Sequence, residues 1–255
     1  NQLLADSPAD RPALGAPAQP RTAGVPRTDP NSQLAHRQLV AKAKQGRIDV
    51  YFVGDSITRR WGATDYPAFL ANWKRNFHGW NAANFGWGGD ATQNIHWRMQ
   101  NGELDGTAPK VFVLQAGTNN LPWTGPADEA KVDEIVAGIE AIMGEFRRHA
   151  PEATIILTGL FPRSQNPQLA PAIRRVNERL AQLADGKRIR FLDLGDKLAD
   201  ANGLLLPGMS EDGLHFTEQS YQIWADGLKP ILRELLGPPA ADDLAPSPTG
   251  DPSAG

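Results

Sequence analysis

The chain of 255 residues contains no cysteine, which removes disulfides, zinc–thiolate sites and a cysteine nucleophile together. It has no surplus of positive charge: 26 Lys and Arg stand against 29 Asp and Glu, a net charge of −3, with no basic patch to attract nucleic acid. No apolar run approaches the roughly 20 residues of a membrane span, and the longest, around 155–161, suits a strand. There is no internal repeat. A phosphate-binding loop of Gly residues ending in Lys is missing, and so is a G-x-S-x-G elbow.

Proline is unevenly spread. Eleven of the 21 prolines lie in 1–30 and 237–255, where no apolar period is present. These read as Pro/Ala-rich extended or disordered tails around one domain over 31–236, a length that supports a sizeable core. The first residue is Asn1, not methionine. A Pro/Ala-rich stretch behind a removed leader suits a secreted or periplasmic protein, with a cytoplasmic location left open.

Between the tails, helical and strand periods alternate. Helices are expected over 33–45, 66–76, 91–100, 128–149, 168–184 and 218–236. Strands are expected over 48–53, 111–115, 154–160 and 189–192, with a short strand or turn at 84–86. Such alternation implies parallel strands joined by right-handed crossovers, hence an α/β chain folded as a three-layer α/β/α, doubly wound sandwich. Ligands on such sheets bind beyond the carboxyl ends of the strands. The segments there are Gly54-Asp55-Ser56, Gly86-Trp87-Gly88-Gly89-Asp90, Gly117-Thr118-Asn119-Asn120 and Gly159-Leu160-Phe161.

In "VYFVGDSITRRWG" (50–62) an apolar run delivers Ser56 behind Gly54 and Asp55. A turn needs nothing more than these residue types, but a serine nucleophile needs the same placement and, in addition, a base. Of the five histidines, His36 and His149 belong to helices, and His78 and His96 sit in packing contexts. His215 lies in "EDGLHFT", with Asp212 three residues upstream. On a tight turn, that spacing lets the carboxylate hold one imidazole nitrogen while the other faces the serine. Thr217 is the expected N-cap of the last helix. A base of this kind must be neutral, so activity should fall on acidification with an apparent pKa of roughly 6 to 7.

Acyl transfer also needs donors for an oxyanion. "FGWGGDATQN" offers the Gly89 N–H, ahead of a helix that Asp90 and Gln93 are expected to open as a capping box. "AGTNN" offers Asn119.

These blocks, "GDS", "GGD", "GTN" and "DGLH" in order, resemble the SGNH hydrolases of the GDSL esterase/lipase superfamily over most of 48–236. The longer runs "NFGWGGDATQNIHWRMQNGEL" and "VFVLQAGTNN" are most similar to the platelet-activating-factor acetylhydrolase Ib catalytic-subunit type. The resemblance implies a flavodoxin-like sandwich and an ester hydrolase with no metal or other cofactor. It makes Ser56 the nucleophile and first oxyanion donor, Gly89 and Asn119 the other donors, His215 the base and Asp212 its partner. Ile57 stands where the family name has Leu, and Asn120 where many members have Asp. Relatives form dimers, so a homodimer is implied, although no apolar stripe here argues for one.

Trp61, Trp87 and Trp123 each lie within five residues of one of these blocks. Flat aromatic faces suit a sugar ring or the wall of a small acyl site. The expected substrate is therefore a short-chain ester, an acetylated carbohydrate foremost. A lysophospholipid or platelet-activating-factor-type lipid is the second reading, and a non-catalytic sugar or nucleotide binding module the third. Arg59 and Arg60 belong to a charged stretch, 57–66, expected as a solvated turn.

Overall fold

The computed structural model describes residues 23–254. The helices are α1 (Pro30–Ala43), α2 (Ser56–Gly62), α3 (Pro67–Phe77), α4 (Thr92–Gln100), α5 (Glu129–His149), α6 (Ala170–Gln182), α7 (Gly195–Leu198) and α8 (Glu218–Leu236). The strands are β1 (Val50–Gly54), β2 (Ala82–Asn84), β3 (Val111–Gln115), β4 (Thr154–Thr158) and β5 (Ile189–Leu192). All strand pairs are parallel, in the order β2-β1-β3-β4-β5, and Phe52, Val113, Ile156 and Arg190 lie in one register row. The sequence order thus reverses between β1 and β3, which opens a crevice at the carboxyl ends of those two strands.

Alternation along the strands divides the core into two layers. Tyr51, Val53, Phe112, Leu114, Ile155 and Leu157 face one way, onto α1, α4, α5 and α6. Val50, Phe52, Val111, Val113 and Ile156 face the other, onto α2, α3 and α8 through Trp61, Trp73, Phe77, Tyr221 and Trp224. With both faces covered, β1, β3 and β4 are wholly buried, which is why they read as unbroken apolar runs.

Local chemistry sets the helix ends. Asp29 caps α1, its carboxylate accepting the Ser32 N–H at 2.9 Å, and Pro30 follows in the first turn. The helix therefore begins three residues before its apolar period does. Asp128 caps α5 and Thr217 caps α8. The expected solvated turn at 57–66 is mostly the helix α2, because Asp55 caps it and Ile57 and Trp61, four apart, anchor it in the core.

The segment after α8 is irregular, but it is not the detached tail expected from its prolines. The Ala240 N–H donates to Gly79 O at 2.9 Å, and the Leu244 N–H to Asn81 Oδ1 at 2.7 Å. Leu244 O accepts from Arg47 N at 2.8 Å, and Thr249 O from Thr64 N at 3.1 Å. The prolines leave no more than a 3-10 turn at Pro252–Ala254 there, yet spare carbonyls and carboxylates still satisfy polar groups beside the edge strand β2. Of the N-terminal segment, residues 1–22 lie outside the described residues, and 23–29 run along α4 to reach α1. Among the described residues no helix is long and apolar enough to cross a membrane.

Candidate active site

β1 ends at Gly54, where a Cβ would stand 2.2 Å from Thr58 Oγ1 and 2.4 Å from Gln115 O; only glycine lets the chain turn so tightly. Asp55 then caps α2 by accepting the Ile57 N–H at 2.9 Å. Ser56 becomes the first residue of a helix, with its hydroxyl at the crevice and an N–H that has no partner inside the helix.

The loop from 208 to 217 brings His215, the candidate base, to it. Gly213, at φ +78, lets the chain double back, and the antiparallel bridge between Ser210 and Phe216 closes the loop. Asp212 Oδ1 accepts the N–H groups of Leu214 and His215 at 2.9 and 2.8 Å. Its Oδ2 takes His215 Nδ1 at 2.6 Å, and His215 Nε2 lies 3.0 Å from Ser56 Oγ. Beside a carboxylate the proton belongs on Nδ1, which leaves Nε2 to accept from the serine.

Electrostatics agree with that tautomer. Burial alone would raise the Asp212 pKa, but hydrogen bonds from the His215 ring and from the two backbone N–H groups outweigh it and hold the group well below the usual carboxylate range. Burial pushes the His215 pKa below its ordinary 6.5; the Asp212 hydrogen bond opposes this, and the positive charge of Arg60 adds to it. Asp55, wholly buried, is pushed up to about 7 by burial first, with the Ile57 N–H lowering it and Asp90 raising it. Its contacts are those of a cap, not of a proton relay.

The oxyanion candidates lie on adjoining turns: a Cβ on Gly88 would stand 3.8 Å from Ser56 Cβ. Gly89 has φ +78, a conformation that glycine adopts without strain. Asn119 lies in a 3-10 turn just after β3, and its Nδ2 donates to Asp90 O at 2.9 Å, against the residue that follows Gly89. The expected capping box does not form. Asp90 turns inward instead, fully buried, and accepts from Arg98 Nε at 2.7 Å, while Arg98 also pairs with buried Glu103. Ala91 takes the cap position of α4, and the side chains of Asn94 and Asn120 bind the N–H groups of Ala91 and Thr92, each at 2.9 Å. Asn120 is thus an α4 cap, a task for which its amide oxygen serves as well as a carboxylate.

The three tryptophans separate. Trp61 is fully buried, stacked between Tyr221 and Trp224 at 5.0 and 4.9 Å, with Nε1 on Asn72. Five residues along a helix is about 140° of rotation, so Trp61 faces the core when Ser56 faces the crevice. Trp87 is buried too, its Nε1 donating to Ser32 Oγ at 2.8 Å under α1. Trp61 has no surface left to wall a substrate, and the little of Trp87 that is open lines a cavity with Arg27, His36 and Trp97 on the α1 side. Trp123 alone is open, 66% exposed, with the Arg163 guanidinium 5.3 Å from its ring centre.

Sequence reasoning missed two residues here. Buried Arg163 donates to Thr118 O at 3.1 Å, while the N–H of Ser164 next to it binds Gly213 O at 2.8 Å. The 163–164 segment therefore ties the Asn119 turn to the His215 loop. Arg27 donates to Gly88 O at 3.1 Å. Neither carried a motif; "FPR" and "VPR" are ordinary loop sequences.

Comparison with known proteins places these features in a family. Residues 52–223 match the model of the GDSL-like Lipase/Acylhydrolase family. The platelet-activating factor acetylhydrolase IB subunit alpha1 of Bos taurus is 33% identical over 219 residues, covering 85% of this chain and 89% of that protein. Among solved structures, a GDSL-like lipase from Bacteroides thetaiotaomicron superposes with a TM-score of 0.61 at 21% identity, covering 80% of this chain and 98% of the other. A family two carbohydrate esterase from Clostridium thermocellum, in complex with cellohexaose, superposes at 0.50 and 21% identity, covering 76% and 66%. The strand-end serine, the glycine turn, the asparagine turn and the Asp-x-x-His loop stand in a chain that belongs to the GDSL-like lipase/acylhydrolase family, and it is a hydrolase.

Proposed function

We propose that the protein hydrolyses short acyl esters, acetyl esters foremost, with Ser56 as nucleophile, His215 as base and Asp212 as the group that orients it. The observation that carries this reading is the hydrogen-bonded chain Ser56 Oγ–His215 Nε2–Asp212, with links of 3.0 and 2.6 Å. Ser56 Oγ attacks the ester carbonyl as Nε2 takes its proton, and the negative charge that forms on the carbonyl oxygen meets the N–H groups of Ser56 and Gly89 and an Asn119 Nδ2 hydrogen. Asn119 can do this while keeping its bond to Asp90 O, since an amide nitrogen carries two hydrogens. Collapse expels the alcohol, which receives the proton from Nε2. Water then attacks the acyl-enzyme by the same route in reverse, releasing the acid and regenerating Ser56.

The 33%-identical relatives are named acetylhydrolases, which supports an acetyl group. For the alcohol, exposed Trp123 supports a carbohydrate, because an aromatic face held over a guanidinium suits the apolar face of a sugar ring. A platelet-activating-factor-type lipid is the second reading, favoured by the names of those relatives.

Hydrolysis of p-nitrophenyl acetate and octanoate by the wild type and Ser56→Ala tests the reaction. Acetate should be cleaved well, octanoate poorly, and Ser56→Ala should lose about a thousandfold or more. Equal activity in wild type and variant would remove Ser56 from the mechanism, and a preference for octanoate would remove the short-acyl reading. Trp123→Ala should raise KM several-fold on an acetylated oligosaccharide and leave p-nitrophenyl acetate unchanged. An unchanged KM, with faster turnover of an acetylated ether phospholipid, would favour the lipid.

A further inference from the structure

Arg27 precedes the stretch that matches the family and belongs to the segment 23–29, which lies over the start of α4. The segment is anchored there: Val25 N donates to Gln93 O at 3.0 Å, and Asn94 Nδ2 to Val25 O at 3.0 Å. The guanidinium of Arg27 donates through Nη1 to Gly88 O at 3.1 Å, and Nη2 pairs with Asp29 at 3.0 Å. Nη1 also lies 3.5 Å from Asp90 Oδ1. Asp29 is itself fixed as the cap of α1. A line of polar contacts thus runs from the amino end of α1 through Asp29 and Arg27 to one carbonyl of the glycine turn.

That carbonyl belongs to the same peptide plane as the Gly89 N–H. The peptide is trans and planar, so the carbonyl and the N–H point in opposite directions. Holding Gly88 O from one side aims the Gly89 N–H to the other. The turn has two distinct sides: a Cβ on Gly89 would stand 2.9 Å from Arg27 Nη1, whereas the nearest atom to a Cβ on Gly88 is Ser56 Cβ, at 3.8 Å. A cation bonded to the carbonyl also polarises the amide and strengthens its N–H as a donor. Three glycines within four residues have little stiffness of their own, and an oxyanion donor works only when it is held in place before the charge forms.

We propose that Arg27 is a positioning residue of the oxyanion site, which acts by fixing and polarising the Gly88–Gly89 peptide. The proposal rests on the reading of the Gly89 N–H as an oxyanion donor. It makes the segment ahead of α1 part of the reaction machinery. Arg27 touches no substrate in this role; it shapes the group that does.

The test compares Arg27→Ala, Arg27→Gln and Arg27→Lys in the full chain, with Ser56→Ala as reference, on p-nitrophenyl acetate. Arg27→Ala should lower kcat tenfold or more with KM within about threefold, and with the melting temperature kept within a few degrees. Arg27→Lys, which keeps the charge, should recover more activity than Arg27→Gln, which keeps only a donor. Inhibition by a trifluoromethyl ketone, whose adduct places an oxyanion in the same position, should weaken in step with kcat/KM. A kcat within twofold of wild type in Arg27→Ala would overturn the proposal. So would a loss confined to KM, or one that tracks the fraction unfolded. A wild type without Ser56-dependent hydrolysis would remove the reaction itself and the proposal with it, whereas an active wild type and an equally active Arg27→Ala would remove the proposal alone.

Discussion

His215 stands between opposing influences, and with it as the proposed base their balance would set the working pH. Burial and the charge of Arg60 disfavour its protonated form, while Asp212 favours it, and the net effect is a pKa below 6.5. The acid limb of kcat/KM should therefore have its midpoint below 6.5, under the upper part of the range expected from an unperturbed histidine. Arg60→Gln removes a neighbouring cation, so the protonated ring becomes easier to form and the midpoint should rise. A pH–rate profile of both proteins checks this, and a midpoint that falls in the variant would contradict the assigned cause. The two adjacent arginines differ because α2 turns by about 100° per residue. Arg59, nearly buried, is locked to Asp65 by two contacts of 2.8 Å, whereas Arg60 lies four residues from Ser56, on nearly the same helix face. Their chemistry is alike in the sequence; only the helix separates them.

α2 shows how much a short element depends on its cap. It has seven residues, and Asp55 supplies its side-chain cap bond. Asp55→Ala should cost about 1–2 kcal/mol of stability. Asp55→Asn keeps the acceptor for Ile57 N–H and should keep the helix and the activity. Its pH behaviour differs from wild type in a defined sense. The folded pKa of Asp55, about 7, lies above the ordinary 3.8, so the protonated group favours the folded chain at low pH and that contribution is lost as pH rises toward 7. The variant cannot ionise, so the fall in unfolding free energy between about pH 4 and 7 should be shallower than in wild type, as urea titrations at several pH values would show. An equal slope would mean that Asp55 does not carry that proton. The long elements were legible because their signals are local and repeated: apolar runs for β1, β3 and β4, and one apolar stripe with caps for α5 and α8. α2 was not, since seven residues with two arginines show too little periodicity. Its signs were the acceptor at 55 and the apolar pair Ile57 and Trp61.

The chain beyond α8 closes the molecule at the β2 edge. Its contacts with Gly79, Asn81, Arg47 and Thr64 join residues more than 150 positions away in the sequence, and Asp251 accepts from Asn31 at 2.9 Å. A chain ended after Gly237, which keeps the bond from Trp80 Nε1 to Gly237 O, should melt several degrees lower, at about 2–4 °C per kcal/mol for a domain of this size. Its kcat should change little, because none of these contacts touches Ser56 or His215. An unchanged melting temperature would mean that the segment adds no stability. Read alone, the order of residues was enough for the layered sheet, the strand-end serine, the glycine and asparagine turns, and an aspartate three residues before a histidine. Each depends on neighbours within a turn or on a short repeat, where steric and hydrogen-bonding preferences act directly. Folding in three dimensions chose among the rest. It set His215 against Ser56 across 159 residues and Arg27 against Gly88 across 61, and it sent Trp61 into the core while leaving Trp123 open. Which face a side chain shows, and which distant loop meets it, follows from the order of the strands and the helices packed on them, and no short stretch of sequence carries that order.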